Sequence, residues 1–185
     1  MMELVWPRIE HLESYSAALR TGWAPDNTRP EAANEELERI AADPLLFIAQ
    51  QVDPEAKGPP VVLKNRTTVP RIPGYHRWMW DGEFCGSISF RWVPGTTDLP
   101  PHCLGHIGYS VVPWKRRKGY ATKALRLLLD DIRGVDMEFV EITTTVDNSA
   151  SRRVIEENGG KLVETFRKGD VHGGGEAYRF RIALK

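Results

Sequence analysis

At 185 residues, 41% of them hydrophobic, the chain is long enough to bury one substantial core, so one domain over 1–185 is expected. Twenty-five basic residues balance twenty-five acidic ones, which removes the broad positive field that nucleic-acid binding draws on, so no nucleic-acid partner is expected. Two cysteines, Cys85 and Cys103, without a CxxC pair argue against a disulfide scaffold and suit a reducing, cytoplasmic setting.

Residues 1–7 carry neither a basic flank nor a long apolar run, so no secretory leader is expected there. No stretch is apolar for long enough to span a bilayer, and no membrane partner is expected. No His/Asp/Cys cluster has metal-ligand spacing, and no metal is expected. The sequon Asn65-Arg66-Thr67 is short enough to arise by chance and carries no weight.

In chain order, Leu4-Val5-Trp6 reads as a short strand ended by Pro7. Leu12, Tyr15 and Leu19 have helical spacing within 11–20. Pro30 introduces a second helix over 31–42, which Asp43-Pro44 stops because a residue before proline disfavours the α region. Residues 45–52 read as a strand that completes an N-terminal portion over 1–52, and 53–60 as a surface loop. Residues 75–80 and 84–93, joined by Asp81-Gly82, form a hairpin pattern, since Asp-Gly supplies the positive φ angles of a tight turn. A loop over 94–104 leads to a strand over 107–112. Ala121, Ala124, Leu125, Leu128 and Ile132 then lay one apolar stripe along a helix ended by Gly134. A strand over 139–146, a helix over 149–158, the terminator Gly159-Gly160 and a hairpin around the glycine-rich tip 169–175 complete the chain. The class is mixed α/β. Its β-α-β-α-β centre is expected to hold parallel strands with helical crossovers.

The densest signal lies at 111–121. A β-branched strand end, Val111-Val112, breaks at Pro113. It crosses Lys115-Arg116-Arg117-Lys118 and enters a helix through Gly119. That order puts unpaired backbone N–H groups and four cations at the positive end of a helix dipole, where a phosphate or diphosphate binds. Taken alone, the same run also reads as a solvated basic turn. A second strand-to-helix junction follows at Asp147-Asn148-Ser149-Ala150-Ser151. Neither GxGxxG nor GxxxxGK[ST] is present, which disfavours a nucleotide-binding enzyme.

These residues resemble the GNAT superfamily of N-acetyltransferases. The family's Q/R-x-x-G-x-G/A signature is met by Arg116-Arg117-Lys118-Gly119-Tyr120-Ala121, and its N-x-x-S feature by Asn148 and Ser151. Ile107-Gly108-Tyr109 before the loop is most similar to the subgroup of ribosomal-protein N-terminal acetyltransferases and their uncharacterised bacterial relatives. The likeness covers 75–185. It implies a mostly antiparallel sheet with splayed, parallel central strands flanked by helices. It also implies acetyl-CoA as cosubstrate, a small-molecule or peptide amine as acceptor and, by analogy alone, a homodimer through the C-terminal strands.

On this resemblance, backbone N–H groups over 117–122, including Arg117, Lys118, Gly119, Tyr120, Ala121 and Thr122, cradle the diphosphate, with Arg116 and Lys118 adding charge. Arg117 stands where glycine is frequent. The Val111 main chain pairs with the pantetheine arm and polarises the thioester carbonyl. Asn148 either caps its helix or binds pantetheine. Ile155 occupies the position of a tyrosine found in many relatives, so either Ser151 or water protonates the departing thiolate, or the thiolate leaves unaided. His106 stands where relatives often have glutamate. It reads either as a base for the acceptor amine or as a strand histidine that shapes the pocket. Glu83 and His102 are weaker candidates. The missing tyrosine also keeps open a catalytically silent acyl-CoA-binding or regulatory module.

Overall fold

The computed structural model describes residues 1–26, 29–63 and 66–185, with Val171 described by its backbone alone; Asn65 of the sequon lies outside these. The chain begins with β1 (Glu3–Val5), whose Leu4 and Val5 pair with Met79 and Trp78. A 3-10 turn leads into α1 (Leu12–Arg20), followed by α2 (Ala32–Ala42), which ends at Asp43 as the Asp-Pro pair implies.

The run expected as a strand over 45–52 is instead α3 (Pro44–Ala49). Asp43 is extended (φ −157°, ψ 96°), its carboxylate accepts the Leu46 N–H at 2.9 Å, and Pro44 opens the helix. A cap followed by proline at the first helical position outweighs a short apolar run, which by itself does not distinguish strand from helix. Only β2 (Val52–Asp53) remains extended, against Gly74 and Tyr75. Two strands of two residues each, β3 (Val61–Val62) and β4 (Thr68–Val69), pair within the segment that follows.

The Asp81-Gly82 hairpin forms between β5 (Gly74–Trp80) and β6 (Phe84–Arg91), with Gly82 at φ 113°. β6 also pairs with β7 (Ile107–Val111), which completes a sheet ordered β1-β5-β6-β7 with β2 beside β5. From β7 the chain crosses through the basic loop and α4 (Tyr120–Ile132) to β8 (Phe139–Thr145). It continues through α5 (Ser149–Glu157) to the hairpin of β9 (Lys161–Arg167) and β10 (Glu176–Ala183). The second sheet is ordered β8-β10-β9.

The stripe read from the sequence is the buried face of α4. Ala124, Leu125, Leu128 and Ile132 are at most 1% exposed and pack with Met79, Ile88, Phe90 and Ile107. On the other side of the first sheet, a second cluster joins Tyr15, Trp23 and Phe47 to Trp78 and Phe84. Tyr15 stacks on Trp78 at 4.4 Å between centroids, so the hairpin aromatics are chiefly core, as alternation on a two-faced sheet requires.

The expected parallel centre is modified. Among the described residues every ladder is antiparallel, and β7 and β8, joined by the α4 crossover, share none. The two sheets part between these strands, and a cavity opens there.

Candidate active site

Hydrogen-bond parity shows which backbone groups face the gap. Val112 N–H donates to the Cys85 carbonyl at 2.9 Å, and Arg91 N–H to the His106 carbonyl at 2.9 Å. In an antiparallel ladder bonded and non-bonded pairs alternate, so even-numbered residues of β7 bond to β6. Ile107, Tyr109 and Val111 therefore turn their N–H and C=O groups away from β6, toward β8. On β8, Leu184 N–H donates to the Glu138 carbonyl, and Val146 N–H to the Glu176 carbonyl. The same rule leaves the backbone groups of Glu141, Thr143 and Thr145 facing β7.

The fork is pinned at one end. His106 N–H donates to the Glu141 carbonyl at 2.8 Å, and Glu141 N–H returns a bond to His106 Nδ1 at 2.9 Å. The imidazole thus takes the place of a strand's acceptor. Beyond this pin the strands separate around a cavity of about 340 Å³, lined by Ile107, Gly108, Tyr109, Thr143, Asn148 and Ser151 among others.

At the far end of β7 lies the basic loop. Arg117 has φ 60° and Gly119 φ 73°, so the turn needs two left-handed residues in succession but one. The glycine frequent in the family at position 117 has a backbone reason here, which Arg117 meets under strain. Arg117→Gly is expected to raise the unfolding free energy by about 0.5–1 kcal/mol, measured by denaturant titration. A fall would show that the arginine side chain's own contacts outweigh the strain.

No side chain caps the N-terminus of α4, so its first-turn N–H groups lack an internal acceptor. A Cβ built on Gly119 meets nothing within 4 Å, so the space in front of the turn is open. Three of the four loop cations, Arg116, Arg117 and Lys118, are exposed at this end. The fourth is a correction to the expected cluster. Lys115 Nζ is bound to Asp81 at 2.9 and 3.0 Å and to Glu83 at 2.6 Å, so it anchors the loop to the hairpin turn. Tyr120 joins the same anchor, donating from its hydroxyl to Asp81 at 2.6 Å, which leaves only its backbone N–H for a ligand. Burial pushes the Asp81 carboxyl up, but the Tyr120 and Lys115 hydrogen bonds outweigh it and hold the group well below the usual range. Thr122 is also committed: its hydroxyl bonds Glu157 and its carbonyl accepts from Asn158. Arg116 Nε donates to the Val111 carbonyl at 3.2 Å, tying the loop to the strand end.

The model of an acetyltransferase (GNAT) domain matches residues 2–161. The chain belongs to the GNAT acetyltransferase family. No curated protein matches the sequence. Among solved structures, the GNAT fold recurs in an acetyl transferase from Salmonella typhimurium that modifies the N-terminal serine of ribosomal protein L7/L12. It is 17% identical, with a TM-score of 0.64, covering 100% of this chain and 95% of that one. It recurs in RimL, the ribosomal L7/L12 α-N-protein acetyltransferase, in complex with coenzyme A (15% identity, TM-score 0.62, 98% and 93% coverage). The Microcin C7 self-immunity acetyltransferase MccE, in complex with acetyl-CoA and AMP, is similar at 14% identity and TM-score 0.62, with 98% and 92% coverage.

Within the GNAT domain the two junctions meet across the fork. Asn148 caps α5, its Oδ1 accepting the Ser151 N–H at 3.0 Å, and it also lines the cavity. The two alternatives for Asn148 are therefore compatible, because capping uses only the oxygen. Ser151 Oγ lies 2.9 Å from the Tyr109 hydroxyl, and both line the same cavity. Tyr109 escaped the sequence reading as a functional residue. Its place two residues before Val111 puts both on one edge of β7, but only the packing of α5 brings its hydroxyl to Ser151. Burial pushes the Tyr109 phenol up to about 12. Ile155, by contrast, is fully buried, so that position does not face the cleft.

His106 is fully buried, and its Nε2 has no hydrogen-bond partner among the described residues. Burial is the largest influence holding the imidazole below its ordinary value, with the Glu141 charge opposing it and Arg91 adding to it. With Nδ1 engaged and Nε2 sealed, this imidazole is not open to an amine. The geometry is that of a pin. A depressed folded value means that the unfolded chain takes up the proton first. The contribution of His106 is complete above about pH 6.5, declines as pH falls below that and levels off beneath the folded value. Asparagine offers Oδ1 near the place of Nδ1 without titrating. His106→Asn is therefore expected to lose less thermal stability than the parent between pH 7 and pH 5; an equal loss would remove His106 from the titration.

Glu83 is spent on Lys115, and Glu141 is paired with Arg179 at 2.7 Å and Arg181 at 2.9 Å. Among the described residues no group of three or more His, Cys, Asp or Glu could hold a metal ion, and no helix is long and apolar enough to cross a membrane.

Proposed function

We propose that this protein is an acetyl-CoA-dependent N-acetyltransferase that transfers the acetyl group directly to a primary amine. The observation that carries the reading is the fork: an edge of unladdered backbone groups on β7 leads to an uncapped helix N-terminus flanked by three exposed cations. An extended amide-bearing arm with a diphosphate at one end matches that sequence of groups. The loop N–H groups and Arg116, Arg117 and Lys118 hold the diphosphate, while Val111 and its neighbours bond the pantetheine amides as a missing strand would.

The Val111 N–H then stands toward the thioester oxygen, where charge develops as the amine attacks. The C–N bond forms, the C–S bond breaks, and the electron pair leaves on sulfur. The Tyr109–Ser151 pair donates a hydrogen bond to the departing thiolate. The surplus amine proton passes to water in the cleft, because His106 is engaged with Glu141. A thiol of pKa about 8.5 is a competent leaving group, so the demand on this donor is modest.

Calorimetry with acetyl-CoA, followed by thiol release against a panel of primary amines, tests the reading. Binding with acetyl consumption supports it. Binding without consumption on any amine would select the silent acyl-CoA-binding module, and no binding would remove both.

A further inference from the structure

Beyond the apolar cluster around Phe84, the face of β6 and β7 opposite α4 turns polar where a sheet face over a core is ordinarily apolar. Ile88 and Phe90 point into the α4 cluster, and the residues that alternate with them are Ser87, Ser89 and Arg91. Their cross-strand partners on β7 include Ser110, opposite Ser87, and Gly108, opposite Ser89. Such a face is half-buried yet built to hydrogen-bond. Beside it lies a second cavity of about 230 Å³, lined by Arg71, His76, Ser89, Arg91, His102 and Cys103 among others.

Arg91 is the unexplained group in this cavity. Its guanidinium is partly buried, and among the described residues no carboxylate lies within ion-pair distance of it. The Cys103 thiol lines the same cavity; burial pushes it up and the Arg91 charge opposes that. Asp53, the one carboxylate among the described lining residues, is held by the N–H groups of Lys57 and Gly58 at 2.8 and 2.9 Å and stands 3.7 Å from Arg71. The cavity therefore carries a surplus positive charge. His102 registers it: burial first, then the His172 and Arg91 charges, hold its imidazole below the ordinary value.

Gly108 connects this cavity to the fork. It lines the cleft between β7 and β8, and a Cβ placed on it would sit 3.3 Å from Arg91 Nη2 and 3.5 Å from Ser89 Oγ. The absence of a side chain leaves the guanidinium beside the strand edge where the thioester is proposed to lie. A partly buried guanidinium fork with no carboxylate beside it among the described residues is matched by a carboxylate or a phosphate, each of which accepts two parallel N–H bonds.

We infer that the acceptor is a small amine carrying an oxyanionic group, a carboxylate or a phosphate, which Arg91 binds across Gly108 while the amine faces the fork. This rests on the N-acetyltransferase reading for the reaction, but not for the anion site itself. A polyamine or another basic chain offers no equal match, because each brings cations to a cationic cavity.

The test compares matched amines at equal concentrations of the unprotonated form: phosphoethanolamine against ethanolamine, and glycine against glycinamide. The anionic member of at least one pair is expected to have a kcat/KM about 10- to 100-fold higher, the range of one charge-assisted bidentate contact. Which pair shows the preference tells phosphate from carboxylate. Arg91→Gln is expected to bring it within about 3-fold, Arg91→Lys to retain part of it, and acetyl-CoA affinity by calorimetry to hold in both. Equal rates within both pairs, or a preference that survives Arg91→Gln, would overturn the inference. If acetyl-CoA is not consumed with any amine, the acetyltransferase reading fails and the anion site is judged by binding alone. Phosphoethanolamine or inorganic phosphate binding to the parent and not to Arg91→Gln sustains it, and no difference between them overturns it.

Discussion

Gly119→Glu is expected to weaken acetyl-CoA binding at least about 100-fold in calorimetry while the protein stays folded by circular dichroism. At φ 73° a residue with a Cβ pays roughly 1–2 kcal/mol in backbone strain. Nothing within 4 Å obstructs the new side chain, so the fold accommodates it. The carboxylate also sits favourably at the positive end of α4 when no ligand is there. The damage therefore falls on binding. The new charge occupies the space proposed for the diphosphate and neutralises one of the three exposed loop cations. Gly119→Ala isolates the strain: it is expected to cost roughly 1–2 kcal/mol of folding stability while acetyl-CoA affinity changes less than about 10-fold. Unchanged affinity in the glutamate variant would take the loop out of the site.

Tyr109→Phe is expected to lower kcat about 10- to 100-fold with acetyl-CoA affinity changed less than about 3-fold. The phenol lies 2.9 Å from Ser151 Oγ, and burial pushes it up to about 12, so it stays protonated at the pH of any amine assay. A donor of that strength does not surrender its proton fully to a thiolate; it stabilises the anion through a charge-assisted hydrogen bond, worth about 1.5–3 kcal/mol. Ser151→Ala is expected to cost less, because the tyrosine still reaches the cleft. Full turnover in the phenylalanine variant would remove Tyr109 from this role and leave the thiolate to Ser151 or water.

Much of the architecture was legible in local patterns. The Asp81-Gly82 hairpin, the α4 stripe and the end of α2 at Asp43 each rest on residues that dictate backbone geometry within a few positions. Residues 45–52 misled because Leu45, Leu46, Phe47 and Ile48 form an apolar run with no decisive period. The Asp43 cap, a single hydrogen bond to Leu46, decided for helix. The pairs β3 and β4 were invisible because two residues carry no periodicity.

The chain's own order of residues determined that a strand, a basic turn and a glycine-led helix follow one another, since each is a local consequence of β-branching, proline and positive φ. The family resemblance also marked Arg117 as standing where glycine is frequent, and the turn's φ of 60° there supplies the backbone cause. Tertiary packing alone decided which groups face each other across the gap. It drew Lys115 and Tyr120 into the Asp81 anchor, made His106 a pin rather than an open base, joined Tyr109 to Ser151 and, among the described residues, left Arg91 without a carboxylate. Those outcomes depend on contacts between residues tens of positions apart, where the competing partners of a charge or an imidazole are set by the meeting of two sheets and not by neighbours in the chain.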